Sequence, residues 1–277
     1  MAWKATEMKE IKGNRRGTKS FVDPSAIIGN DCTLGFGAVI EAGVQIGPGC
    51  AVGHHVVIHA GTRLGAGCHV EAHAVLGRQP RPAVTSTVQP PADLPSLVIG
   101  DGTSIGAGAV VYAGTRIGKQ CLLGDHAFVR EGCQIGDRVI IGTHVTVEQE
   151  VSIGSDSKLQ TGAYIAAWTT IEENCFIAPC VVTSNDNFMG RTEARFAQRG
   201  GPIIRRGARV GANVTLLPNI EIGAEAFVAA GSVVTRDVPP GKLVMGSPAR
   251  VVRDVPSSEL LEERETTDLL NAPQRTS

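Results

Sequence analysis

Two histidines spaced 18 residues apart, His126 and His144, are the first side chains in this sequence that could do chemistry. An imidazole has a pKa of about 6.5, so it can accept a proton from an amine or a hydroxyl near neutral pH. Two carboxylates close by in the sequence, Glu131 and Glu148, would orient a substrate or raise the basicity of an imidazole. We predict His126, Glu131, His144 and Glu148 as the catalytic residues, with His126 as the general base. The alternative is that both histidines are outward-facing polar residues.

A second histidine pair, His54 and His59, has a spacing of five residues in GHHVVIHAG. A catalytic zinc site needs three protein ligands, and no histidine precedes His54 in the sequence. The main expectation is that no metal is bound, and zinc stays open as an alternative. His55 and His73, again 18 residues apart, are expected to stack on one wall of the fold.

A run of short polar side chains, Asn185, Asp186 and Asn187, lies in APCVVTSNDNFMGRTEARF. Such residues form turns, and they are also suited to bind an amine or a sugar hydroxyl. We predict these three residues and Arg191 as substrate-binding residues.

The elements that position these residues follow from a repeat. An aliphatic residue recurs at every sixth position over residues 28–76, 99–177 and 204–234. The next residue is often glycine, and the fifth position of each unit is usually small or β-branched. The pattern [LIV]-G-x-x-[small]-x forms one short strand and one turn per unit. Three units make a coil of 18 residues, so His126 and His144 should lie about 5 Å apart on successive coils.

The repeat predicts an all-β parallel β-helix of about nine or ten coils. Two proline- or polar-rich insertions interrupt it and predict loops near residues 78–97 and 184–202, where function often resides. We predict an N-terminal arm over 1–21, the β-helix domain over 22–253, and a short helical C-terminal tail over 254–277 that caps the prism.

The composition excludes several function classes. The 34 glycines, an aromatic share of 4% and a net charge of −1 describe an aliphatic core and give no sign of a nucleic-acid-binding protein. No apolar run is long enough for a transmembrane span, and the first residues lack a secretory signal. Six of the seven cysteines occupy the small fifth position, which predicts reduced, buried thiols and a cytoplasmic protein. Cys180 breaks this pattern.

The repeat resembles that of the left-handed β-helix of hexapeptide acyltransferases. The segments IGSDSKLQTGAYI, IAPCVVTSNDNFMGRT and GANVTLLPNIEIGAEAFVAAGSVVTRDVPPGKLVMGSPAR also resemble a narrower family, over residues 22–253. That family is the bacterial nucleotide-sugar N-acyltransferases, which act on a dTDP-linked 3-amino-3,6-dideoxyhexose or a UDP-linked 2-acetamido-3-amino uronate.

The resemblance implies left-handed coils, acetyl-CoA as co-substrate, and a homotrimer with sites between subunits. It implies an N-acyltransferase of a nucleotide-linked amino sugar. The alternatives are an acyltransferase for another amine or a hydroxyl, a non-catalytic scaffold, and a zinc enzyme similar to γ-class carbonic anhydrases with His54 and His59 as ligands.

No Walker-type phosphate loop is present, so the sequence does not indicate a P-loop protein. The phosphates of CoA need cationic partners, and the last third of the chain carries positive charge that could supply them. Small residues beside these cations would let a pantetheine arm approach the backbone. The predicted CoA-binding residues are Arg205, Arg206, Arg209, Gly211, Ala229, Arg236, Lys242 and Arg250. The alternative for the cations is an ordinary solvated surface.

Overall fold

The computed structural model describes residues 15–17, 19–86 and 88–261. Short parallel strands form three sheets, here called faces A, B and C. In β19, Ile141 is buried and the preceding Ile140 points outward. This alternation arises because successive side chains of a strand point to opposite sides.

Face A contains the first and the last described strands. It is built from β1 (Arg15–Arg16), β4 (Thr33–Leu34), β7 (Ala51–Val52), β10 (His69–Val70), β13 (Ser104–Ile105), β16 (Leu122–Leu123), β19 (Ile140–Ile141), β22 (Lys158–Leu159), β25 (Phe176–Ile177), β28 (Arg209–Val210), β31 (Phe227–Val228), β33 (Lys242–Gly246) and β34 (Ala249–Asp254).

Faces B and C complete each coil. Face B is built from β2 (Phe21–Val22), β5 (Val39–Ile40), β8 (Val57–Ile58), β11 (Val75–Arg78), β14 (Val110–Tyr112), β17 (Phe128–Val129), β20 (Thr146–Val147), β23 (Tyr164–Ile165), β26 (Val182–Thr183), β29 (Thr215–Leu216) and β32 (Val233–Val234). Face C is built from β3 (Ile27–Ile28), β6 (Gln45–Ile46), β9 (Arg63–Leu64), β12 (Val98–Ile99), β15 (Arg116–Ile117), β18 (Gln134–Ile135), β21 (Ser152–Ile153), β24 (Thr170–Ile171), β27 (Ile203–Ile204) and β30 (Glu221–Ile222).

The register confirms the predicted 18-residue period. In β16 and β19, Leu122 pairs with Ile140 and Leu123 with Ile141. Strands β1 to β30 make ten complete coils, and β31 and β32 begin an eleventh. The predicted parallel β-helix is confirmed, and its left-handedness stays a prediction.

The inward aliphatic residues form one continuous core along the prism. The predicted burial of the cysteines is confirmed, and three of them that lie 18 residues apart, Cys32, Cys50 and Cys68, form a stack inside the prism. Their thiols donate to carbonyl oxygens of the next coil, for example from Cys50 Sγ to Gly65 O over 3.1 Å. Burial raises the pKa of Cys133, in the same kind of position, to about 12, so its thiol stays protonated at neutral pH.

The two ends of the chain differ in part from the predicted boundaries. Strand β1, which lies within the predicted arm, pairs with β4 of the next coil, so the solenoid extends at least to Arg15. At the other end, β34 runs antiparallel to β33 and is followed by a 3₁₀ helix, Ser257–Glu259. The rest of the predicted helical tail, residues 262–277, lies outside the described residues. A short helix in the second loop, α1 (Arg195–Gln198), was not predicted. No described helix is long and apolar enough to cross a membrane.

The turn Gly47–Gly49 offers a matched test of the packing between coils. A methyl group on Gly47 would lie 2.6 Å from Ala66 N, whereas one on Gly49 would meet nothing within 4 Å. Gly49 has a φ of +69°, so alanine there is strained only in its backbone conformation. We expect Gly47→Ala to destabilise the fold by about 3 kcal/mol and Gly49→Ala by about 1 kcal/mol. Urea unfolding of both variants checks this, and equal losses would contradict it.

Candidate active site at two corners of the prism

Each coil has three corners, and two of them carry the polar groups of interest. In the coil of β16 to β18, corner AB (residues 124–127) joins face A to face B, and corner BC (130–133) joins face B to face C. Corner CA (136–139) leads back to face A.

The predicted histidine stack lies at corner AB. The rings of His126 and His144 are 5.1 Å apart between centroids and inclined by only 6°. Both residues have a left-handed φ, +55° and +56°, which points their side chains outward along the corner. Both are exposed, and neither side chain has a hydrogen-bond partner among the described residues. An exposed imidazole without such a partner is chemically available as a base.

The same corner carries a second histidine stack. His55 and His73 have ring centroids 5.2 Å apart and an inclination of 9°. In both stacks a glycine one coil earlier makes room for the first ring. A methyl group on Gly108 would lie 2.6 Å from His126 Nδ1, and one on Gly37 equally close to His55 Nδ1.

Glu131 and Glu148 lie at corner BC, at the opposite edge of face B from His126. Within one chain they therefore do not share a corner with His126, and their role in orienting a substrate or raising the basicity of an imidazole stays a prediction. The separation follows from the repeat itself, because the two residues of β17 or β20 separate the histidine corner from the carboxylate corner.

Corner BC holds an ion cluster that the sequence had not indicated. Arg130 donates from Nε to Glu131 Oε2 over 3.0 Å and from Nη2 to Glu131 Oε1 over 2.8 Å. Its Nη1 donates to Glu148 Oε2 over 3.2 Å, and Tyr164 Oη lies 3.4 Å from Glu148 Oε1. The guanidinium also lies 6.0 Å from the ring centroid of Tyr112. The signal that could have found Arg130 is the 18-residue spacing Tyr112–Arg130–Glu148.

Both extruded loops leave the prism at this same corner. The first loop returns beside Gly114, whose N–H donates to Pro95 O over 2.6 Å. The second loop is held by Arg199, whose guanidinium lies 4.6 Å from the ring centroid of Trp168. Trp168 in turn donates from Nε1 to Glu150 Oε2 over 2.9 Å. The Trp168 ring thus contacts the second loop itself.

The polar residues Asn185 and Asp186 stabilise the conformation of the second loop. Asp186 accepts hydrogen bonds from Phe188 N over 2.8 Å and Gly190 N over 3.0 Å. Arg195 adds an ion pair of 3.3 Å. Asn185 holds the loop base through its carbonyl, which accepts from Gly200 N. The predicted substrate residues Asn187 and Arg191 are exposed.

These contacts predict a pH dependence of the second loop. The hydrogen bond from Phe188 N, then that from Gly190 N, and the Arg195 charge hold the pKa of Asp186 below its usual value. A lowered pKa in the folded state means that the stabilisation is present above the ordinary aspartate pKa and is lost as the pH falls through the folded value. We expect Asp186→Asn to raise hydrogen exchange of the Phe188 and Gly190 amides at neutral pH. Asn187→Ala is the control, and equal exchange in both variants would contradict this role.

The predicted CoA cations are distributed over several parts of the last coils. Arg205, at corner CA, lies 2.8 Å from both Glu172 and Glu221. These hydrogen-bonded carboxylates, Glu221 first, raise its pKa. Arg206 lies 3.6 Å from Glu173, at the same corner.

The other predicted CoA residues lie on face A, at corner AB or near the C-terminal strands. Arg209 pairs with Glu259 at 2.8 Å, and Lys242 pairs with Asp254. Arg236 and Arg250 are exposed, and neither forms an ion pair with a described residue. Gly211 and Ala229 share corner AB one coil apart, on the edge that carries His126. The structure therefore brings the two small residues together and spreads the cations.

The second histidine pair is divided between corners. His54 Nδ1 accepts a hydrogen bond from Phe36 N at corner AB, while His59 Nδ1 lies 3.2 Å from Glu41 Oε1 at corner BC. Among the described residues no group of three or more histidine, cysteine or acidic side chains is placed to hold a metal ion. His54 lines a groove of about 480 Å³ on face A together with His69 and Glu71.

Comparison with known proteins agrees with the repeat. The model of the bacterial transferase hexapeptide family matches residues 25–60, 96–131, 114–149 and 201–236. A second model, the hexapeptide repeat of succinyl-transferase, matches residues 46–78 and 132–167. Together these segments cover more than half of the chain.

Curated relatives match over part of their length. A serine acetyltransferase from Buchnera aphidicola is 35% identical over 39% of this chain and 38% of its own. The bifunctional protein GlmU from Rubrobacter xylanophilus is 47% identical over 22% of this chain and 13% of its own. The matches thus span less than half of the length of these relatives.

A solved structure extends the similarity of fold to nearly the whole chain. The UDP-N-acetylglucosamine acyltransferase from Campylobacter jejuni has a TM-score of 0.54 and 16% identity, over 92% of this chain and 81% of its own. This similarity concerns the fold. With the repeat, the core and both family models in agreement, the chain belongs to the bacterial transferase hexapeptide family.

Proposed function

We propose that this protein is an acyl-CoA-dependent N-acyltransferase that acetylates the amino group of a nucleotide-linked amino sugar. The observation that carries the proposal is the exposed His126–His144 stack on one corner of a hexapeptide solenoid. Gly211 and Ala229 lie on the same corner, three and four coils beyond His144. Two of the proteins named above are a serine acetyltransferase and a UDP-N-acetylglucosamine acyltransferase, which supports the acyl donor. The amino-sugar acceptor rests on the resemblance of the second-loop segment.

The chemistry assigned to His126 is proton transfer. Its imidazole takes a proton from the ammonium form of the acceptor, and the neutral amine nitrogen then attacks the thioester carbonyl carbon. The second proton of that nitrogen passes to the leaving thiolate as the amide forms. A backbone N–H at a corner turn would stabilise the oxyanion. The C–S bond breaks, the CoA thiolate leaves, and the product is an amide.

We further propose that face B joins copies of the chain into the homotrimer. Apart from Arg78, at the loop end of β11, the outward positions of its eleven strands carry no charged residue. Faces A and C carry Lys158, Arg209, Arg63 and Glu221 at theirs. Eleven strands at about 4.8 Å spacing give a strip roughly 50 Å long, which runs along the prism.

Such an assembly would also place corner AB and corner BC of neighbouring copies close together. Rotation about an axis parallel to the prism brings corner AB of one copy towards corner BC of the next. His126 and Arg130 flank the same strand, β17, so they lie at the same height along the prism. Glu131 and Glu148 would then act beside His126 of the partner subunit.

The acceptor class is tested by incubating the protein with acetyl-CoA and separate acceptors while free thiol is monitored. The panel contains dTDP- and UDP-linked amino sugars, the same nucleotide sugars with a hydroxyl in place of the amine, serine and maltose. The proposal predicts thiol release with the amino sugars. Release only with serine or maltose would assign an O-acyltransferase, and release with none would contradict an acetyltransferase.

A further inference from the structure

We propose that corner BC between the two loops binds a primary ammonium group through the Glu148 carboxylate and the Gln149 side-chain carbonyl. The inference rests on the proposed function in one respect, that the ligand is the acceptor amino sugar. In this proposal the acceptor binds at corner BC as an ammonium ion, before it loses a proton and reacts.

The segment concerned, here called the inter-loop corner, comprises residues 112–114, 130–132, 148–150 and 166–168. The first loop leaves after β11 and the second after β26, so four coils lie between them at this corner. Tyr112 lies at one end, 5.4 Å from the Arg78 guanidinium, and Trp168 lies at the other, against Arg199. Three coil steps of about 4.8 Å separate these ends by about 14 Å, which is enough for a sugar and part of its substituent.

Arg130 directs three of its five N–H donors at carboxylates of the protein. It makes two hydrogen bonds to Glu131 and one to Glu148. Glu131, only 4% exposed, has both oxygens on this guanidinium. From the described residues, Glu148 accepts only two long hydrogen bonds, from Arg130 at 3.2 Å and from Tyr164 at 3.4 Å, so its carboxylate keeps lone pairs for a further donor.

Gln149 supplies the second, independent observation. It lies one coil beyond Glu131 in the same turn position and is 6% exposed. Its Oε1 has no hydrogen-bond partner among the residues that the structure describes. A buried carbonyl without a donor is costly, and few such groups persist in folded proteins without a ligand, water or ion. The oxygen therefore needs a donor from outside this part of the chain.

The charge of the inter-loop corner selects the donor. Within the inter-loop corner the one guanidinium, of Arg130, is set against the three carboxylates of Glu131, Glu148 and Glu150, which is a net charge of −2. The guanidiniums of Arg78 and Arg199 lie at its two ends. Burial first, and then the Glu148 charge, raises the pKa of Tyr164, which agrees with a local negative field. An ammonium offers three N–H donors and one positive charge, whereas an anion would meet these carboxylates. A neutral hydroxyl would satisfy Gln149 and leave the charge uncompensated.

The test is a binding measurement on the full chain without acetyl-CoA. Glucosamine is titrated below the pKa of its amine and compared with glucose and N-acetylglucosamine, which lack the ammonium. We expect glucosamine to bind, with both neutral sugars at least tenfold weaker, about the value of a charged hydrogen bond. Glu148→Gln and Gln149→Leu should each weaken glucosamine binding by about tenfold or more. Glu172→Gln, a carboxylate paired with Arg205 at corner CA, is the matched control and should bind as the unmodified chain does.

Equal binding of the three sugars, or unchanged glucosamine binding in both Glu148→Gln and Gln149→Leu, would overturn the inference. Circular dichroism of the variants identifies any loss that comes from unfolding, and a folded variant that loses glucosamine alone supports the site. Failure of the proposed function gives a different result. A protein that transfers no acetyl group but still prefers glucosamine to the neutral sugars would contradict the proposed reaction and support the ammonium site.

Discussion

Replacing His126 by alanine is expected to lower the turnover of acetyl-CoA and the acceptor amine by about 10²- to 10⁴-fold. The imidazole is the proposed group that removes the proton of the amine, and its ring is exposed and free of side-chain hydrogen bonds among the described residues. The core residues beside it, Ala127 and Val129, stay in place, so folding and assembly should be preserved. Steady-state kinetics at saturating acetyl-CoA measure the effect.

The chain supplies a closely matched control for this variant. His55 occupies the same turn position, lies over Gly37 as His126 lies over Gly108, and stacks on the next histidine at nearly the same distance. His55→Ala therefore removes an equivalent ring from an equivalent corner. We expect it to leave turnover within about twofold, as is usual for exposed sites away from the chemistry. Unchanged turnover in His126→Ala, or equal losses of turnover in both variants, would contradict the proposed role of His126 in proton transfer.

Introducing a charge on face B is expected to dissociate the protein into single chains and to abolish acetyl transfer. Val182, in β26, is 42% exposed in the isolated chain, so aspartate there is tolerated by the monomer. Burying its carboxylate against another copy would cost about 2–5 kcal/mol at every interface. Analytical ultracentrifugation at micromolar concentration reports the mass, and the thiol assay reports the activity.

Phe176 provides the comparison on another face of the same coil. It lies in β25 on face A and is 40% exposed, so Phe176→Asp makes the same kind of change on a surface that the proposal leaves free. We expect this variant to keep the mass and activity of the unmodified protein. A Val182→Asp variant that stays assembled, or a Phe176→Asp variant that dissociates, would place the interface elsewhere.

The fold could be predicted because one physical rule acts at every repeat. Each coil must bury an aliphatic residue such as Ile141 on every face, and a parallel stack fixes the partner of that residue 18 positions away. The same rule placed His144 on His126, since both occupy the corner position with a left-handed φ. Local periodicity therefore determined the strands, the cysteine stack and the histidine stack.

The polar cluster could not be predicted in the same way. Proximity in sequence suggested that Glu148 serves His126, yet a single two-residue strand, β20, carries the chain across a whole face of the prism. Arg130 joins Glu131 and Glu148 through side-chain geometry that the repeat does not specify. Asp186 looked like a substrate ligand, but its carboxylate is used by two backbone amides of its own loop. Which partner such a polar side chain binds depends on its three-dimensional contacts, and the sequence repeat carries no signal for that choice.

Transfer of acetyl from acetyl-CoA to an amino sugar is the most direct test of the central claim. The protein is incubated with acetyl-CoA and each dTDP- or UDP-linked amino sugar, and the acceptor is analysed by mass spectrometry. The account predicts an acceptor heavier by one acetyl group, attached to nitrogen, with one CoA thiol released per product. An amino-sugar panel that stays unmodified while serine or maltose is acetylated would contradict it.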